Sequence, residues 1–269
     1  LNRKNIPVLG LVLVIALATP GCGVINSLRA KNALNDGVRE YNKGKFAPAQ
    51  EKFEYALSLS PDLTNAQLYY ARALNAQFDQ DLNEDLANKT VAAYDRIIKE
   101  NPNNSEAIDQ SLAFKASIYE KMMQISPEKA KEYKQLQRDM LEKRATVASA
   151  TPKIKADVYY TLGVGYWKES YDSNGGYVAK KQPIPPKVLE EMKPLVQKAH
   201  EYLQKAIAVD PTYKDAFFYE KLVYIEESKY DTAHQRELAA KVNEMQEKYL
   251  ALQKQQAAAP PPASPEGQK

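Results

Sequence analysis

The chain is poor in the residues that most often carry chemistry. Its 269 residues include one cysteine, two histidines and one tryptophan. A lone cysteine, Cys22, rules out a disulfide within the chain. His200 and His234 lie 34 residues apart, each directly after an alanine, and no Cys, Asp or Glu completes a metal-ligand spacing with either. They read as a repeat echo on equivalent helix faces. No G-x-S-x-G elbow, phosphate-binding P-loop or H-E-x-x-H pair is present. Glycine is scarce, at 10 residues, and β-branched residues are scattered at helical spacing, which argues against strands. Excess charge is missing as well. Two of the 37 cations, Arg3 and Lys4, stand in an N-terminal leader without acids, so the rest lies within one charge of neutral. Phosphate binding needs a basic face, so nucleic acid is not an expected partner. These absences point away from an enzyme and imply no cofactor.

What is present is periodic. Residues 44–61, GKFAPAQEKFEYALSLSP, place Ala49, Phe53, Ala56 and Pro61 at offsets of four, three and five. The offsets recur in Thr90, Tyr94, Ile97 and Pro102, and in Ala199, Leu203, Ala206 and Pro211. Ala233, Glu237 and Ala240 carry them once more without the proline. An amphipathic helix needs an apolar face but not small residues at fixed places on it. Fixed alanines imply close approach of a second helix. A closing proline has no amide hydrogen and a fixed φ, so it ends one helix and opens the next unit.

Upstream of the first copy, residues 32–46 carry Gly37, Tyr41, Gly44 and Phe46, and residues 156–167 carry Tyr159, Leu162, Gly163 and Tyr166. In the last copy Phe217, Tyr224 and Tyr230 match, with Lys221 in the glycine place. This pattern resembles the tetratricopeptide repeat (TPR), W-x2-L-G-x2-Y followed by small, aromatic, small and proline positions. The resemblance implies an all-α, TPR-type α-solenoid of about five antiparallel helix pairs, spanning residues 32–256. The repeats are read as 32–63, 64–104, 105–150, 156–213 and 214–256. The third keeps helical periodicity but few signature residues. The fourth carries an insertion, 168–193, whose Asn-Gly-Gly and Pro-Ile-Pro-Pro runs are expected to leave the helix. Residues 257–269, rich in Pro and Ala, are expected to be a disordered tail.

The leader opens with Arg3 and Lys4 and continues with an apolar run from Ile6 to Ala18. That is signal-peptide length, shorter than the roughly 20 residues that span a bilayer. Residues 1–23 are read as a signal peptide or membrane anchor, and 24–31 as a tether. Gly21-Cys22 resembles a bacterial lipobox, which implies lipidation at Cys22, although Pro20 departs from that pattern. Cleavage after Ala18 and an uncleaved anchor remain alternatives. Each places the body outside the cytoplasmic membrane of a bacterial envelope.

Asp79, Asp81, Asn83 and Asp85 alternate like the start of a calcium loop, but Glu84 and Thr90 stand where glycine and the bidentate glutamate belong. The stretch reads instead as an acidic turn before a helix. In the TPR resemblance the concave face is lined by the first helix of each repeat. The positions implied are Leu34, Val38 and Tyr41 in repeat one and Leu68 and Arg72 in repeat two. Repeat four supplies Tyr160, Val164 and Trp167, and repeat five Phe218, Leu222 and Ile225. Leu34 and Val38 replace the polar clamp with which some family members hold a chaperone's C-terminal carboxylate. An apolar groove of this kind suits a protein or peptide partner. The alternative is a small ligand or glycan stacked on Tyr160, Trp167 and the Tyr171–Tyr177 segment. The resemblance implies a non-catalytic scaffold, in analogy with envelope lipoproteins that assist assembly of outer-membrane or secretion machinery.

Overall fold

A computed structural model of the chain describes residues 21–258. The leader, the Cys22 side chain and the tail from residue 259 lie outside the described residues. Ten α-helices follow one another among the described residues: α1 (Gly21–Asn42), α2 (Phe46–Leu59), α3 (Thr64–Gln80), α4 (Glu84–Glu100), α5 (Ser105–Ile125), α6 (Ala130–Thr146), α7 (Pro152–Ala179), α8 (Pro186–Val209), α9 (Lys214–Glu227) and α10 (Gln235–Ala258). A short 3-10 turn, Pro127–Lys129, precedes α6. The chain divides into two compact units, one ending at Gln77 and one beginning at Phe78.

In the first unit α1 and α2 are joined by a turn in which Gly44 takes φ +75° and donates its N–H to Tyr41 O at 2.9 Å. A side chain there would be strained, which explains a glycine at that place. Ala49, Phe53 and Ala56 are fully buried. Ala56 meets Ala33 and Ala66, so three small side chains draw α1, α2 and α3 together. Phe53 stacks on Tyr69 of α3 at 5.6 Å, linking one repeat to the next. A methyl on Gly37 would stand 2.4 Å from the Phe53 ring. Ser60 closes α2 through its N–H to Ala56 O at 3.0 Å, and Pro61 follows. Residues 24–31, read above as a tether, are helical and continuous with α1, and Ala30 is already fully buried.

In the second unit the recurring residues again face inward. Thr90, Tyr94 and Ile97 are buried along α4. Asn83 caps α4 by accepting from Leu86 N at 3.1 Å, with Glu84 and Asp85 in the first turn. Glu84 also accepts from Tyr133 Oη at 2.9 Å, so the acidic turn doubles as a clasp on α6. Asp109 of α5 and Arg144 of α6 pair at 2.9 Å. Further on, Ala199, Leu203 and Ala206 form one core with Val196, Ala216 and Val223.

Three sequence expectations fail in this unit. The insertion does not leave the helix at Asn174-Gly175-Gly176, because α7 runs on to Ala179. Asn174 is fully buried and is held by tertiary contacts that outweigh a local turn preference. Its amide donates to Ser170 O and to Glu226 Oε2, both at 2.7 Å, and its oxygen accepts from Lys229 Nζ at 2.9 Å. The chain turns only at Lys180–Pro185, where Lys181 takes φ 53°, and Pro186 starts α8. The added residues lengthen both helices of the pair, to 28 and 24 residues against 14 in α9. The echo at Ala233 and Ala240 also fails. Both are exposed, while Leu238 and Met245 are the buried residues of α10. His234 precedes α10 whereas His200 lies inside α8, so the two histidines do not share a helix face.

Candidate protein-binding site

In the first unit Leu34, Val38 and Tyr41 are half-buried against Ala49, Phe53 and Ala73. Tyr41 lies 5.2 Å from the Phe46 ring and 6.1 Å from Tyr69. Leu68 is buried, and Arg72 stands over the Tyr69 ring at 5.4 Å. These side chains are engaged mainly in packing between helices of that unit.

In the second unit α7 presents a face with two flanks. On one flank Tyr160 meets Tyr213 at 5.1 Å and Tyr219 at 5.6 Å. Trp167 stands edge-to-face with Tyr219 at 5.1 Å and stacks on Tyr171 at 5.3 Å. Tyr219 joins the two groove positions, yet the repeat pattern did not single it out. Burial, with Tyr219 and Asp215 nearby, pushes the Tyr160 phenol up to about 12, so it stays neutral at physiological pH. The Trp167 indole N–H is buried and meets no acceptor among the described residues. Phe218 packs on Tyr249 of α10 at 5.3 Å and lies under Lys221 Nζ at 4.3 Å, which assigns it to the α9–α10 contact. Leu222 is half-buried, and Ile225 is 39% exposed.

The other flank opens into a cavity of about 430 Å³ between α5, α6 and α7. Met123 of α5, Leu141 of α6 and Val164 of α7 line it, with Glu120, Lys168 and Asp172 among its charged groups. Gly165 contributes open space, since a methyl added there would meet nothing within 4 Å. Arg138 is fixed at the cavity by two contacts. Its guanidinium lies 3.7 Å over the Tyr166 ring and donates to Glu169 Oε2 at 2.7 Å. Burial would raise the Glu169 carboxyl, but Arg138 and Lys134 outweigh it and hold the group below the usual carboxylate range. Of the expected groove residues only Val164 lines this cavity. The α5 contribution was missed because the third repeat keeps periodicity without signature residues to set its register.

Comparison with solved structures places the chain beside MamA. It matches a MamA RS-1 ArsTM double mutant with a TM-score of 0.52 and 17% identity, covering 86% of this chain and 98% of that one. A second match, MamA 41-end from Desulfovibrio magneticus RS-1, has a TM-score of 0.51 and 17% identity over the same shares. A third MamA structure has a TM-score of 0.51 and 18% identity over 88% and 98%. No protein-family model and no curated protein matches the sequence. The fold is all-α and of the TPR type. At such identities the likeness carries fold alone, and function has to be argued from the site. Among the described residues no group of three or more His, Cys, Asp and Glu could hold a metal ion, and no described helix is long and apolar enough to cross a membrane.

Proposed function

We propose that this TPR-type chain is a non-catalytic scaffold that seats a protein or peptide segment on the open face of α7. The observation that carries this reading is the cavity between α5, α6 and α7. It joins apolar walls at Met123, Leu141 and Val164 to a fixed Arg138–Glu169 pair. Apolar lining with a few oriented polar groups is what a binding site needs, and an inter-helix groove accepts a helix or an extended peptide. The aromatic flank speaks against the glycan alternative. One face of Trp167 is already stacked on Tyr171, and the Tyr171–Tyr177 segment is helix rather than a closing loop.

The leader supports a place at a bacterial cell envelope. Arg3-Lys4, the apolar run and Gly21-Cys22 fit a signal peptide ending in a lipidated cysteine, or else an uncleaved anchor. The body then lies outside the cytoplasm, where the scaffold assists assembly of an envelope or secretion complex. The test is photo-crosslinking in cells from probes replacing Thr161 and Lys168 at the cavity, with a probe at Lys241 as control. A discrete protein adduct at both cavity positions and none at Lys241 is the expected result. Absence of any adduct at the cavity would contradict the reading.

A further inference from the structure

The start of α1 carries an apolar patch that the core does not use. Val24, Ile25 and Leu28 are 71%, 51% and 60% exposed. At about 100° per residue they cover one arc roughly 100° wide. Ala30, Ala33 and Gly37 fall on the opposite side of the helix, and all three are buried. Arg29 and Lys31, both exposed, flank the apolar arc, one on each side. No acid precedes Asp36 in the sequence, so the patch stands among cations only. It begins two residues after Cys22 and six after the apolar run that ends at Ala18. Leu28 is about 9 Å along the helix from residue 22 at ~1.5 Å per residue. Singly scattered exposed apolar residues need no explanation, whereas a contiguous arc beside an apolar leader does.

We infer that the first two turns of α1 lie on an anionic lipid surface. Val24, Ile25 and Leu28 enter the apolar margin of the bilayer, and Arg29 and Lys31 meet lipid phosphates. An interfacial helix sinks an apolar face about 5–10 Å into the headgroup boundary and holds it with flanking cations, which is the pattern found here. The inference rests on the envelope-tether reading above and goes beyond it. The tether does not merely hold the body near a membrane, since α1 itself docks and sets the orientation of the helix that leads into the first repeat. Lipidation at Cys22 and an uncleaved anchor both bring the bilayer to this point.

The test uses the full chain expressed in bacterial cells, with a photo-reactive residue at Val24, Ile25 or Leu28 and a control at Arg39, on the same face of α1 but about 16 Å beyond Leu28. Phospholipid adducts at the three positions and none at Arg39 are expected. The adduct at Ile25 should be lost when Val24→Gln and Leu28→Gln are combined. These side chains are exposed, so the urea unfolding midpoint should not move. A chain recovered in the membrane fraction without lipid adducts overturns the inference and leaves the tether standing. A protein adduct in place of lipid overturns it as well. Recovery in the soluble fraction removes the tether reading and the inference together.

Discussion

At the scale of single residues, small side chains serve two opposite ends. At Gly163 the absent methyl would stand 2.6 Å from Leu203 Cγ and 3.1 Å from the Leu203 backbone nitrogen. Because α8 cannot yield at its backbone, Gly163→Ala should lower stability by about 1–3 kcal/mol, as overpacking does. At Gly176 a methyl meets nothing within 4 Å and the residue is helical. Gly176→Ala should therefore raise stability by about 0.5–1 kcal/mol. Urea denaturation of the two variants separates these effects, and equal signs would contradict the packing described.

His200 supplies a second test at this scale. Its ring nitrogens lie 2.8 Å from Glu220 and 3.1 Å from Glu227. Burial alone would push the imidazole pKa down, but the bonds and charges of the two glutamates outweigh it and raise it above 6.5. A raised folded-state value means the proton stabilises the fold. That contribution is complete below the unfolded value near 6.5 and is lost as pH rises through the folded value. The stability difference between the natural chain and His200→Gln should thus be greatest at acidic pH and shrink towards alkaline pH. Tyr224, beside the ring, is raised by burial and by Glu220 and Glu227 to about 12 and does not titrate in that window. A difference that grows with pH would contradict the assignment.

At the scale of elements, the long pair α7 and α8 is the feature that departs most from the repeat. Its extension is held by Asn174, which joins α7 to Glu226 and Lys229 near the end of α9. Asn174→Ala would leave Glu226, a buried carboxylate, short of a donor. The expected cost is about 1–3 kcal/mol, with faster backbone hydrogen exchange over residues 171–179 than elsewhere in α7. Uniform exchange along α7 would contradict this role. Asn-Gly-Gly reads locally as a turn, and partners 52 and 55 positions away reverse that preference. Contacts of that range are absent from any short window of sequence. The fixed positions were legible because each is determined locally: Ala49, Phe53 and Ala56 bury wherever two helices must approach closely. Ala233 and Ala240 failed for the converse reason, since alanine is tolerated on an exposed helix face and its spacing alone does not prove burial.

At the scale of the whole molecule, the fold was legible and the site was legible only in part. Tyr160, Val164 and Trp167 could be assigned to α7 because the fourth repeat keeps its signature, which sets the helix register, but of the three only Val164 lines the cavity. Glu120, Met123 and Arg138 could not be assigned, because the third repeat has no signature glycine or closing aromatic to count from. Gly165 leaves open space at the cavity, and it was not legible because it stands at a variable place of the repeat pattern, between Gly163 and Tyr166. Gly165 also gives the most direct test of the scaffold account. Gly165→Leu fills the cavity from an exposed helical position with open space around it. The measurement is the yield of the Lys168 photo-adduct in the natural and Gly165→Leu chains, alongside their urea midpoints. Loss of the adduct with an unchanged or higher midpoint is the outcome this account predicts. An undiminished adduct in a stably folded Gly165→Leu chain would contradict it, because the partner would then be bound elsewhere than in the cavity between α5, α6 and α7.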